Sequence, residues 1–319
     1  MTNEINIFKT LEAETLDNIR QSRAYNTSRA YKADFKDFVN FCKNINKKPI
    51  KADVKVVSIY LTSLSKKNFK FSTIKRRLVS IVIANRMAGY HIDTKNPIIN
   101  ENLKTIKRKI GAMQIGKTPI SVIDLKKIIT KLNDNKKINI NKKIRDKAII
   151  LVGFSGGFRR SELVNLNYQD IEFVKEGVKI LLRKSKTDQY SKGFIKALPY
   201  FSKSYFCPVI SLKNWLDTSL IKSESIFRKI SKSGKILNNQ LTDQSVALIL
   251  KYHMLQANLD PTNFSGHSLR SGFATATANS GAEERSIMAM TGHKSTQMVR
   301  RYIKEANLFK NNALNKIDM

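Results

Sequence analysis

One stretch without any hydrophobic period, GAMQIGKTPIS from Gly111 to Ser121, interrupts an otherwise strongly patterned chain and restricts it to two separately cored units. Two glycines and a proline within it disfavour both helix and strand, so the segment reads as a linker. With 319 residues in all, each side is long enough to bury its own core. The expected domains are residues 1–110 and 122–319, joined by the linker 111–121.

Upstream of the break, apolar residues recur every three to four positions. Tyr31, Phe35, Phe38, Val39, Phe41 and Cys42 predict a first long helix. Val54, Val57, Ile59, Tyr60 and Leu64 predict a second, from about Ala52 to Leu64. A third, entered through Ser72 or Thr73 as its cap, carries Ile74, Leu78, Ile81, Val82 and Met87 and ends near Gly89. The fourth begins after Pro97 and runs through the basic stretch KTIKRKI. Four such helices make one bundle.

Downstream, Ser121 and Asp124 resemble a capping box and open a helix with Val122, Leu125, Ile128 and Ile129 inside. Helical patterning continues through RDKAIILVGFSG and then breaks. Asp170 to Phe173, Val178 to Arg183 and Gly193 to Leu198 are short β-branched or alternating runs that predict a small antiparallel sheet. Helical patterns return at Val209 to Leu216, Ser245 to Leu255, Ser268 to Ala278, Ala282 to Met290 and Ser295 to Ile303. The expected class is mainly α with a small antiparallel β-sheet: a helical bundle, then a mixed domain.

Lys and Arg number 58 against 25 Asp and Glu, a formal charge of +33. That excess implies a polyanionic partner, with nucleic acid ahead of anionic lipid. Abundant Lys, Asn and Ile also fit a compositional bias, which would account for part of the charge. No apolar run approaches the ~18 residues of a spanning helix, and MTNEINIFKT lacks the apolar segment of a signal peptide, so a cytoplasmic protein with no membrane partner is expected. Cys42 and Cys207 are too few for a disulfide framework and read as buried apolar residues. His91, His253, His267 and His293 pair with no Cys or acid at ligand spacing, so neither a metal nor a cofactor is expected.

Three stretches carry chemistry. In GGFRRSELVNLNYQDIEF an arginine opens a helix three residues before Glu162; it faces a phosphate, or it is a surface partner of that acid. In SGHSLRSGFATA, His267 and Arg270 lie one helical turn apart and point to the same side. In MTGHKSTQMVRRYI, Gly292 ends a helix, His293 sits in the turn, and Tyr302 follows nine residues on. A tyrosine there, taken alone, is a core residue.

Together, and in this order, the stretches resemble the tyrosine recombinase or phage integrase family, and the resemblance covers nearly the whole chain. It implies an N-terminal core-binding, SAM-like bundle and a catalytic domain of the DNA breaking-rejoining type. It implies a first catalytic arginine at Arg159, with Glu162 as its supporting acid, then His267, Arg270 and His293, and Tyr302 as nucleophile. RKSKTDQ resembles the family's lysine-bearing hairpin and places the catalytic lysine at Lys186, with Lys184, on the same strand face, as competitor. Arg160 stands where the family usually has an apolar residue; spacing still selects Arg159.

The chemistry needs these residue types. A tyrosine with a pKa of about 10 attacks phosphorus at neutral pH only if its proton is taken, and His267 suits that role. Guanidinium forks match the non-bridging phosphate oxygens, so Arg159 and Arg270 form a clamp with His293 as a further donor. A hairpin lysine delivers a proton to the departing 5′ oxygen. The resemblance implies a 3′-phosphotyrosyl intermediate and site-specific recombination by a homotetramer on two sites in double-stranded DNA. In the bundle, Lys104, Lys107, Arg108 and Lys109 on the fourth helix and Lys75, Arg76 and Arg77 on the third are the expected phosphate contacts; a solvated basic face is the alternative for the fourth helix. Trp215 reads as core rather than a base stack. Beyond Tyr302, Leu308, Phe309, Ala313, Leu314 and Ile317 form an apolar set that folds back or, as the resemblance implies, docks on a neighbouring subunit. A topoisomerase-like relaxer or telomere resolvase shares this chemistry, and a DNA-binding protein that has lost activity shares the fold.

Overall fold

Apolar residues three and four positions apart give α1 (Tyr25–Asn44) a buried stripe, on which Phe38 and Cys42 are fully enclosed. The computed structural model describes residues 14, 25–111, 117–183, 193–293, 295–307 and 313–317. They fall into two units, Met1–Ile115 and Gly116–Met319, each with its own core.

In the first unit α1 packs on α3 (Phe71–Met87), and α2 (Val54–Lys66) on α4 (Pro97–Ile110). Val57, Tyr60, Leu61, Leu64, Ile74, Ile81 and Ile99 close the centre around Phe38. Asp53 caps α2 and Asn96 caps α4, where Pro97 occupies the first turn that needs no N–H donor. Two expectations need correction. The third helix starts at Phe71 behind an uncapped Lys70, so Ser72 and Thr73 lie inside its first turn. Phe69 and Phe71 pack against the core there, and their burial outweighs the ~1 kcal/mol of a side-chain cap. Ile59 and Met87 are exposed, and Val56 and Leu61 fill the inner face of α2 instead.

The second unit is built on α6 (Ile140–Ser155), whose residues from Ala148 to Val152 are all buried. It packs against α8 (Pro208–Ser219) and α10 (His267–Asn279). Around these lie α5 (Val122–Asp134), the short α7 (Arg160–Val164), α9 (Asp243–Gln256), α11 (Glu284–Thr291) and α12 (Thr296–Asn307). Ser121 Oγ accepts from the Asp124 N–H at 2.9 Å and donates to its carboxylate at 2.8 Å, which starts α5. Strands β1 (Ile171–Val174), β2 (Gly177–Leu182) and β3 (Phe194–Pro199) form an antiparallel sheet in sequence order, each within a residue or so of its expected place. Leu182 pairs with Phe194 at the base of the β2–β3 hairpin, and Lys184 and Lys186 lie outside the described residues. A second, two-stranded sheet, β4 (Arg228–Ile230) with β5 (Ile236–Gln240), was not expected from sequence. Trp215 is a core residue, its indole N–H donating to the Ile226 carbonyl at 2.7 Å.

A buried charge network ties α6 to α9 and β4. The Asp146 carboxylate accepts from Arg145 Nε and Nη2 at 2.9 and 2.7 Å and meets His253 Nε2 at 2.9 Å. Arg145 Nη1 donates to the Arg228 carbonyl at 3.1 Å. Asp146→Ala strands a guanidinium in the core, and the expected cost is about 3–5 kcal/mol. Urea unfolding followed by the fluorescence of Trp215, the chain's single tryptophan, measures it. A loss under ~1 kcal/mol would mean that Arg145 finds solvent once its partner is gone.

Candidate active site

Helix α6 ends in a turn, Gly156–Gly157–Phe158, that delivers Arg159 as the cap of α7. Gly157 has φ +53°, and a Cβ on it would lie 2.9 Å from the Phe273 ring, so only glycine makes this turn without strain. Glu162, one turn on, reaches back: its Oε2 accepts the Arg159 backbone N–H at 2.9 Å and its Oε1 accepts from the Arg159 guanidinium. The acid is buried while the Arg159 side chain keeps 17 % of its surface, so this is no surface pair. Arg160 turns elsewhere. Its stem fills the space beside Gly266, where a Cβ would come within 2.2 Å, and its guanidinium lies 3.6 Å from Asp243.

Helix α10 begins at His267, which is exposed, and carries Arg270 one turn inward, which is 1 % exposed. Arg270 Nη1 donates to the Gly157 carbonyl at 2.9 Å, which fastens α10 to the Arg159 turn. Its Nε and Nη2 are buried and have no hydrogen-bond partner among the described residues. Burial and the charge of Arg159, opposed by Glu162 and Tyr302, bring its pKa down to about 10, so it stays a cation at neutral pH.

Helix α11 closes at Gly292, whose carbonyl accepts from Arg159 Nη2 at a long 3.4 Å, and His293 follows. Counting protons assigns the imidazole tautomer. The Thr291 hydroxyl lies 2.6 Å from the Ile287 carbonyl, to which only the hydroxyl can donate, and 2.8 Å from His293 Nδ1. Nδ1 therefore carries the hydrogen and donates to Thr291, which leaves Nε2 an acceptor in the neutral ring. Burial, then Arg270, Arg159 and His267, push the His293 pKa down to about 4 against the pull of Glu162. Tyr302, on the inner face of α12, packs with Ala274, Ala278, Ile287 and Val299, and its ring centre lies 6.4 Å from that of His293. It is thus a core residue and a neighbour of the cationic cluster at once.

Four separated segments therefore bring Arg159, Glu162, His267, Arg270, His293 and Tyr302 into one electrostatic neighbourhood. Two contributors escaped the sequence reading. Thr291 has no signature beyond its place before Gly292. Lys196 does: strand alternation puts it on the face of buried Leu198, an unusual place for a lysine. In the first unit Lys75, Lys107, Arg108 and Lys109 are exposed, and Lys104 pairs with Glu101 at 2.6 Å. The cations at the end of α4 also sit where the helix dipole favours them. Arg76 meets Asp34 at 2.9 Å. Arg77 is mostly enclosed, paired with Asp37, 3.0 Å from the Tyr60 hydroxyl and stacked 4.4 Å over Phe69.

Cationic side chains beside a tyrosine, on a helical domain with a small antiparallel sheet, define a site suited to receiving an anion. Residues 122–308 match the Phage integrase family. An integrase/recombinase XerD homolog of Selenomonas ruminantium is 39 % identical over 302 residues, covering 94 % of this chain and 87 % of that protein. A tyrosine recombinase XerC of Lactobacillus leichmannii is 25 % identical, covering 92 % and 93 %. Among solved structures, the fold is shared with a lambda integrase dimer bound to a COC′ core site, at a TM-score of 0.58, 16 % identity and 100 % and 99 % coverage. It is shared also with the Tn1549 transposon integrase in complex with transposon right end DNA, at 0.60, 16 % identity and 93 % and 97 % coverage. The chain belongs to the phage integrase family, the tyrosine recombinases, and is a site-specific DNA breaking-rejoining enzyme.

The His293 environment makes a pH prediction. Its folded pKa lies below the usual 6.5, so the unfolded chain binds the extra proton first and the stability it contributes is lost as pH falls from 6.5 toward about 4. An NMR titration of the ring should give a midpoint near 4; one near 6.5 would place the imidazole in water.

Proposed function

We propose that the enzyme cuts one DNA strand by attack of the Tyr302 oxygen on a backbone phosphorus, forming a 3′-phosphotyrosyl ester and releasing a 5′ hydroxyl. The observation that carries this reading is Arg270: a buried guanidinium with two nitrogens still to be paired, beside Arg159. Leaving such donors unmatched is costly, and a phosphate's non-bridging oxygens suit them in charge and geometry.

In the proposed step Tyr302 loses its proton to His267 as the O–P bond forms, and the P–O5′ bond breaks as Lys186 protonates the leaving oxygen. Glu162 holds Arg159 in place. His293 donates to the phosphate from Nε2 only when protonated, and the anion's approach favours that form. The phosphotyrosyl ester conserves the bond, so a 5′ hydroxyl from a second site rejoins the strand by the reverse path with no nucleotide, metal or cofactor.

The first unit, as core-binding domain, grips the duplex through Lys75 and Arg76 on α3 and Lys104, Lys107, Arg108 and Lys109 on α4, with Arg77 bracing α3. Four protomers on two sites exchange tails. Supporting this, Leu314 and Ile317 are 61 % and 57 % exposed, an apolar pair suited to a neighbour's surface. We infer cytoplasmic work on double-stranded DNA; no described helix is long and apolar enough to cross a membrane.

A suicide substrate that traps cleavage tests the chemistry. Wild type should give a covalent DNA adduct, Tyr302→Phe none, and Arg270→Ala a rate lower by about 10²–10³-fold. Adduct formation by Tyr302→Phe would falsify the nucleophile. For the bundle, replacing Lys107, Arg108 and Lys109 by Ala should flatten the dependence of log K on log salt by about 0.9 for each phosphate no longer neutralised. An unchanged slope would make that helix end a solvated face.

A further inference from the structure

Lys196 lies on β3, the strand by which the chain returns from the hairpin loop, and it is 1 % exposed. A buried lysine is rare without partners, and its partners here are unusual. Its Nζ donates to the Gly156 carbonyl at 2.5 Å and to the Met290 carbonyl at 2.5 Å. The first belongs to the turn that presents Arg159, and the second to the last turn of α11, just before His293. The ammonium also stands 4.3 Å over the Phe158 ring, which lies between Gly157 and Arg159. One side chain therefore clamps together three pieces of the site: the arginine turn, the histidine turn and the hairpin strand.

We infer that Lys196 is a positioning residue for strand cleavage, which sets the Arg159 and His293 turns against each other and against the hairpin that carries Lys186. The inference rests on the phosphotyrosyl reading above. Full enclosure with two carbonyl partners keeps Nζ from serving as the proton donor itself. Its charge nevertheless acts at the site, because Glu162 on α7, Arg159 at its cap and Arg270 on α10 all face it. Glu162 favours the ammonium and the two guanidiniums oppose it. Burial first, then Arg270 and Arg159, bring its pKa down to about 7. Below that value the ammonium offers three N–H groups, enough for both carbonyls and the ring face, and adds positive potential for the phosphate. Above it one hydrogen and the charge are gone.

The test compares Lys196→Met, which keeps the length without a donor, with Lys196→Gln, which keeps an N–H donor without charge. Single-turnover adduct formation is measured from pH 6 to 9 alongside DNA affinity. Lys196→Met should bind DNA like wild type yet cleave about 100-fold more slowly, as expected when reacting groups are misplaced by about 1 Å. Lys196→Gln should recover a large part of that rate but lack the inflection near pH 7 that wild type shows. The His293 titration midpoint, a readout independent of cleavage, should shift in Lys196→Met. Wild-type rate, pH profile and His293 midpoint in a folded Lys196→Met would reduce Lys196 to core packing. If that variant does not fold, Lys196→Gln decides alone: a retained inflection overturns the inference, and its loss with the rate largely kept supports it. Absence of any adduct with wild type counts against the phosphotyrosyl reading instead, and the His293 midpoint still tests the clamp.

Discussion

Three cationic side chains at the site in the second unit face a shared carboxylate. Arg159, Arg270 and Lys196 all feel Glu162, and without it their mutual repulsion in a medium of low polarizability would be unopposed. Glu162 answers this from a backbone position it helps to define, accepting both the main-chain and the side-chain N–H of Arg159. The rest of the site is arranged around that pair through main-chain carbonyls: Gly156 for Lys196, Gly157 for Arg270, and Gly292 for Arg159. Neutral dipoles thus distribute the charge of three cations while leaving guanidinium edges in reserve. Such a site is preorganised for an anion.

Much of this was legible in the sequence, for reasons that differ between elements. Helices announce themselves through the stripe they bury, so α1, α6 and α10 fall close to their expected places. His267 and Arg270 share a helical turn by spacing alone. Strand β4 is three residues long and β5 reads ILNNQ, too short and too polar for alternation to be seen. The start of α3 was misplaced because a local capping preference competed with the burial of Phe69 and Phe71, a tertiary effect. Thr291 belongs to the same class, and so does Lys196 in its choice of partners, although strand alternation alone marks it as a lysine on a buried face. Their roles exist only where helix and strand ends meet, and no short-range pattern encodes that meeting.

Net charge is a blunt guide to which cations meet a polyanion. Arg76 and Arg77 belong to a basic run in the sequence, yet Asp34 and Asp37 engage both, and Arg77 is further held by Tyr60 and Phe69. Arg145 is wholly internal. The positive excess of the chain is partitioned between fold and surface, and only the second part acts on diffusion and salt dependence.

The small cluster of Ala274, Ala278, Ile287, Val299 and Tyr302 is separate from the large core of the same domain. Among the described residues, the contacts that secure the helix bearing the tyrosine include this apolar cluster and an ion pair of Arg300 with Glu284. Release of this helix would expose far less apolar surface than unfolding the domain, so separating it from the rest would cost only a part of the domain's stability. In the proposed reaction, the position of Tyr302 is then set by this small cluster more than by the main core. A surface that binds that helix more tightly in one position would shift how many molecules hold the tyrosine beside the cationic cluster.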